Sequence, residues 1–136
     1  MIVPFTEKRA CPRFVVPGAV VSYGRIRLFG RRTGWLERSC LAVDLSRGGI
    51  RFLTRESPSI GAKLFIQLTW PDEREPLDLR GTVRWMAEYP GEAFRFYVGV
   101  QFHPYGEGQK YNPVQNLDRI IGLENRHLKQ PPPARD

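Results

Sequence analysis

The chain is poor in the residues that build reactive centres. It has two cysteines, Cys11 and Cys40, neither in a CxxC pair nor near a histidine. That spacing gives no zinc site. Two cysteines are also too few for a disulfide-framed secreted scaffold, so reduced thiols in a cytoplasmic protein are expected. There are two histidines, His103 and His127, in separate segments and without an evident nucleophile or metal-ligating partner. Ser46 lies in no GxSxG elbow. No catalytic residue, metal or cofactor is therefore expected. The N-terminus, MIVPFTEKRA, has no apolar core of a signal peptide. No apolar run approaches the roughly 20 residues of a membrane span.

What is abundant is arginine. The 136 residues carry a formal net charge of +7, and 17 of the 21 cations are Arg. Guanidinium forks pair with phosphate and stack on bases, whereas ammonium acts as a point charge. An anionic partner fits this balance, although a basic surface also serves solubility alone.

Several segments alternate in hydropathy with a period of two, the mark of half-buried strands. In KLFIQLTW, Leu64, Ile66, Leu68 and Trp70 share one face, and Phe65 falls on the other. In LDLRGTVRW, Leu77, Leu79, Val83 and Trp85 oppose Asp78, Arg80, Thr82 and Arg84; in FRFYVGVQF, Phe94, Phe96, Val98, Val100 and Phe102 oppose Arg95, Tyr97, Gly99 and Gln101. Weaker strands are expected near 18–28, 38–44 and 48–54, with Leu41 and Val43 closing one alternating run and Ile50 and Phe52 opening the next. Turn residues separate them at Gly30 to Gly34, Ser57-Pro58 with Gly61, Pro71-Asp72 and Pro90-Gly91. Six short strands without intervening helices predict an all-β fold, an antiparallel barrel or sandwich. One helix is expected at the end. Asn112 suits an N-cap, Pro113 the first turn, and Val114, Leu117, Ile120, Ile121 and Leu128 an apolar stripe. The expected organisation is a flexible arm over 1–13, a barrel over 14–104, a linker and helix over 105–129, and a disordered tail over 130–136.

Two motifs stand out. Between two strands lies VDLSRGGIRF, in which Asp44, Ser46 and Gly49 form DxSxxG. Such residues make a tight strand connection, the acid and hydroxyl bonding local backbone and glycine supplying positive φ. They also suit purine recognition: a carboxylate presents two acceptors to the two adjacent donors of guanine's Watson–Crick edge. In the arm, Arg9 and Arg13 form RxxxR. Pro12 disfavours helix at Cys11, and in extended chain positions four apart point the same way. The two guanidiniums can then grip phosphate and stack on a base together.

RxxxR in an arm, then DxSxxG between barrel strands, resembles the PilZ domain family. CLAVDLSRGGIRFLT, IGAKLFIQL, GTVRW and YVGVQF extend the resemblance over roughly residues 7 to 104. It implies a six-stranded antiparallel β-barrel that binds the bacterial second messenger cyclic di-GMP. By position, Arg9 and Arg13 would hold phosphates and stack on or bond guanine, Asp44 and Ser46 would contact a guanine edge, and Gly49 would permit close approach. Lys8 stands where many members have a further Arg, and Arg47 and Gly48 are common inside the loop. The arm would close over the ligand and present a changed surface to an effector protein. The alternatives are a ligand-free interaction module, or a basic barrel binding single-stranded nucleic acid through RIRLFGRRTGW, where Phe29 and Trp35 interleave with Arg25, Arg27, Arg31 and Arg32.

Overall fold

A computed structural model describes residues 11–128. Six antiparallel strands close on themselves: β1 (Val20–Ile26), β2 (Arg32–Ser46), β3 (Gly49–Thr54), β4 (Lys63–Trp70), β5 (Glu73–Glu88) and β6 (Phe96–Phe102). Their order around the barrel is β1-β2-β3-β6-β5-β4, and β4 pairs back onto β1. Closure removes the free edges that six short strands would otherwise expose. A single helix, α1 (Val114–Leu128), follows. The fold class expected from the alternation is the one observed.

The core is the inward row of each strand. Val21 and Tyr23 of β1, Ile50 and Phe52 of β3, and Leu64, Ile66 and Leu68 of β4 are buried, as are Leu77, Leu79 and Val83 of β5 and Val98 of β6. Tyr23 and Phe52 meet as tilted rings 5.6 Å apart. Each such aliphatic side chain contributes about 1.5–3 kcal/mol by leaving water, which is why a period of two is so firmly written into these segments.

The barrel departs from that period where its two long strands bulge, and the bulges correct two expectations. In β2, Tyr23 pairs with Glu37 and Val21 with Cys40, so Arg38 and Ser39 together face Ser22. Ser39 takes positive φ (59°) and donates its N–H to Ser22 Oγ at 3.2 Å. Glu37 and Cys40 consequently both point inward, three residues apart. Leu41 then lies outward, 45% exposed, against the expected apolar run through Leu41 and Val43. A second bulge at Val43 separates the pairs Ala42–Phe52 and Asp44–Arg51, which returns Leu45 to the core and turns Asp44 out. In β5, Val83 faces Val100 but Trp85 faces Gly99, so Arg84 is the extra residue. Trp85 therefore leaves the face of Leu77, Leu79 and Val83, where the alternation had put it, and lies on the outer surface. An inserted residue reverses every side chain beyond it.

The connections show a further correction. The expected break at Gly30 to Gly34 is shorter: a single 3-10 turn, Leu28–Gly30, leads into β2 at Arg32. Asn112 does not cap the helix. Its side chain accepts from Arg80 N (2.7 Å) and donates to Arg80 O (2.9 Å) and His103 O (3.0 Å), tying the chain after β6 to β5. Of the expected stripe, Leu117 and Ile120 are buried and Leu123 joins them, whereas Val114 and Leu128 are exposed. Among the described residues no helix is long and apolar enough to cross a membrane. The expected tail over 130–136, and the arm residues Lys8 and Arg9, lie outside the described residues.

Candidate functional site

The site is organised by the hairpin that joins β2 to β3. Ser46 pairs with Gly49 across a turn of Arg47 and Gly48. Ser46 Oγ accepts from Gly48 N (3.2 Å) and donates to Gly49 O (3.5 Å), closing the turn locally. Neither glycine of the turn has positive φ. The requirement at Gly49 is close approach instead, since a Cβ there would stand 2.4 Å from the carbonyl oxygen of Val100 on β6.

Asp44, turned outward by its bulge, gathers two arginines. Oδ1 accepts from Arg13 Nη1 at 3.1 Å and from Arg51 Nε at 2.7 Å, and Oδ2 accepts from Arg51 Nη2. Arg51 is the cross-strand partner of Asp44. Its guanidinium lies over the ring of Tyr97, 5.8 Å from the centroid, and the bond to Asp44 raises its already high pKa. Arg13 arrives from the chain before β1. That segment is seated: Phe14 and Leu45 exchange backbone hydrogen bonds of 2.9 Å, and Cys11, Phe14 and Val16 are buried. The last residues of the expected arm, Cys11 to Arg13, thus lie against the barrel.

Beside Arg13 opens a cleft of about 320 Å³, bounded by Ser46, Gly49, Arg84, Trp85 and Gln101. Arg84 Nε donates to Gln101 Oε1 at 2.7 Å. Trp85 lies across Gly99, where a Cβ would come within 2.3 Å of its indole, and leans on Tyr97 with ring centroids 5.1 Å apart. The cleft therefore offers guanidinium donors, an aromatic wall and a glycine floor. Its volume is at the lower end of the roughly 300–1,000 Å³ of small-molecule sites. Among the described residues no group of three His, Cys, Asp or Glu is placed to hold a metal ion.

Of the residues singled out in the sequence, Arg13, Asp44, Ser46, Gly48 and Gly49 come together here. Arg47 faces away. Its Nε and Nη2 donate to Glu124 of α1 at 2.9 and 3.1 Å, and Tyr105 donates its hydroxyl to the Arg47 carbonyl at 2.6 Å. Arg51, Arg84 and Trp85 were missed as site residues. Arg51 was legible, because a turn at 47–48 pairs position 51 with 44. Trp85 was not, because its place depends on the Arg84 bulge.

A closed antiparallel barrel with an arginine-and-indole cleft at one hairpin defines a small binding module. The PilZ domain model matches residues 7–121, and the chain belongs to the PilZ domain family, generally a family of cyclic di-GMP receptors that act as binding or adaptor modules rather than enzymes. No curated protein matches the sequence. Among solved structures the chain is similar to the Bacillus subtilis inhibitor of motility, MotI/DgrA. The TM-score is 0.55 at 16% identity, covering 90% of this chain and 55% of that one. At that identity the likeness is one of fold, and the chain spans little more than half the length of that protein.

Proposed function

We propose that the chain is a cyclic di-GMP receptor whose ligand enters the cleft between Arg13 and Trp85. The observation that carries the reading is the convergence of Arg13 and Asp44, 31 residues apart in sequence and 3.1 Å apart in space, at the edge of that cleft. A guanine ring stacks on Trp85, with the glycine floor allowing its edge to approach the backbone. Phosphate is taken by Arg13 and Arg84, and Arg9 and Lys8 reach over from the preceding residues.

The two arginines on Asp44 have different parts. Arg51 holds the carboxylate by a two-pronged contact. Arg13 makes one contact and is 30% exposed, and such pairs contribute about 0–1 kcal/mol. A phosphodiester anion competes easily for Arg13, and Asp44 Oδ1, still accepting from Arg51 Nε, then has an acceptor site open to the guanine edge. Each good bidentate contact is worth about 1–3 kcal/mol and each stacked base about 1–3 kcal/mol. Micromolar affinity, about 8 kcal/mol, needs several together, which a closing N-terminal segment supplies against an ordering cost of roughly 1–2 kcal/mol per residue. The closed segment is a new surface for an effector protein.

Calorimetric titration tests this. Cyclic di-GMP should bind the native chain at micromolar or tighter Kd, GTP should bind far more weakly, and Arg13→Ala should weaken cyclic di-GMP at least tenfold. Equal heats from GTP, or an unaffected Arg13→Ala, contradict it.

A further inference from the structure

The β1–β2 connection is built unlike the rest of the surface. Its apex is Leu28 and Phe29, 81% and 94% exposed, side by side on a projecting turn. Phe29 sits at φ 61°, ψ 27°, left-handed backbone that a bulky side chain adopts only against a steric cost. The apex is the most exposed pair of large apolar residues among those described.

The surroundings are cationic. Between Glu7 and Glu37 the sequence has no Asp or Glu, while Arg25, Arg27, Arg31 and Arg32 flank the apex. Among the described residues none of these four makes an ion pair, nor do Lys63 and Lys110. A groove of about 730 Å³ runs from Leu28 and Phe29 to Lys63, Arg80, His103 and Lys110 and, among the described residues, has no acid in its wall; Glu107 is the nearest acid along the chain to Lys110. Burial and the neighbouring Arg32 lower the pKa of Arg80, and burial with Lys63, Arg80 and Arg84 lowers that of His103. Among the described residues positive charge is thus crowded here without a countercharge.

From this we infer that the Leu28–Phe29 apex docks the barrel onto an anionic lipid surface, the two side chains entering the headgroup–acyl boundary and the arginines lying at phosphate level. Charge complementarity selects an anionic surface, and a convex apolar apex selects one that can be penetrated. Single-stranded nucleic acid fits less well, because it needs successive open ring faces. Trp35, 36% exposed, is partly covered, packed on Phe65 at 5.1 Å with Arg38 over its ring at 5.9 Å, and Arg32 covers Phe65 at 4.8 Å. Of the two rings in this stretch, Phe29 alone is almost fully exposed, at 94%. The surface is separate from the cyclic di-GMP reading and stands or falls without it.

The test is co-sedimentation of the full chain with vesicles of phosphatidylcholine alone or with 30% phosphatidylglycerol, at 0.1 M salt. The chain should pellet with the anionic vesicles and not the neutral ones. Leu28→Ser/Phe29→Ser should weaken that binding at least tenfold, and Arg27→Glu/Arg31→Glu should do the same, both with unchanged thermal unfolding. Three outcomes overturn the inference: no binding to anionic vesicles, anionic binding that Leu28→Ser/Phe29→Ser leaves intact, or tighter Phe29-dependent binding to oligo(dT) than to the vesicles.

Discussion

Strand β2 carries two buried acids seven residues apart, Glu37 and Asp44, and each collects donors in a different way. Glu37, 7% exposed, takes donors that cannot leave. They are the Tyr23 hydroxyl, the Cys40 thiol at 3.6 Å, and the backbone N–H groups of Arg55 and Glu56 at 2.9 and 3.1 Å. Arg55 adds an ion pair at 3.5 Å. Among the described residues Asp44 takes only guanidiniums whose side chains are about a third exposed. A carboxylate fixed by the core and the backbone is structural, and one held by long, half-solvated side chains can exchange partners. The first acid closes the barrel around a bulge; the second holds Arg13 and Arg51 beside the cleft.

The largest effect expected is at Glu37. Glu37→Ala leaves the buried Tyr23 hydroxyl without its acceptor, at about 1–3 kcal/mol, and the part-buried N–H groups of Arg55 and Glu56 open to water at less, so urea unfolding should show a loss of about 2–4 kcal/mol. The fraction still folded should bind cyclic di-GMP with native affinity. The same acid, with burial as the larger cause, pushes the Cys40 thiol up to about 12, so Cys40 should resist alkylation at pH 8 until the chain unfolds.

Asp44→Ala should invert that pattern. Its arginines turn to solvent, and the fold loses about 0–2 kcal/mol, the value of two half-solvated ion pairs. Cyclic di-GMP binding should weaken at least tenfold, about 1.4 kcal/mol, by calorimetry. A collapse of the fold instead would erase the distinction between the two acids.

Smaller again is the tie between hairpin and helix. Arg47→Ala leaves Glu124, itself buried, without its two-pronged partner and should cost about 1–2 kcal/mol in thermal unfolding. Arg47→Ala/Glu124→Leu should recover part of that, since an unpaired buried charge costs more than its removal.

The least effect concerns pH. Burial, then Lys63, Arg80 and Arg84, hold His103 below its usual 6.5. The unfolded chain therefore takes up this proton first. The contribution is complete above pH 6.5 and is lost as pH falls through the folded value. Melting temperatures between pH 7.5 and 5.5 should drop less in His103→Gln than in the native chain.

These contrasts mark what was legible in the sequence. The strands of β4, β5 and β6 were, because apolar burial writes a period of two along each. Asp44, Ser46 and Gly49 were, because a two-residue hairpin is a local event, whereas Arg13 was brought beside them by the family resemblance and not by any local pattern. The inward turn of Glu37 was not, nor the outward turn of Trp85. Both follow bulges, at Arg38–Ser39 and Arg84, that depend on how a neighbouring strand is paired. Asn112 and Arg47 had plausible local roles, but distant partners, Arg80 with His103 and Glu124, claim their side chains.

The most direct test is NMR titration of the 15N-labelled chain with cyclic di-GMP, following the three indole N–H signals assigned by single Trp→Phe variants. The account predicts that the Trp85 signal shifts and saturates with the calorimetric Kd, while those of Trp35 and Trp70 stay nearly fixed. Saturable binding that leaves the Trp85 signal in place would contradict it.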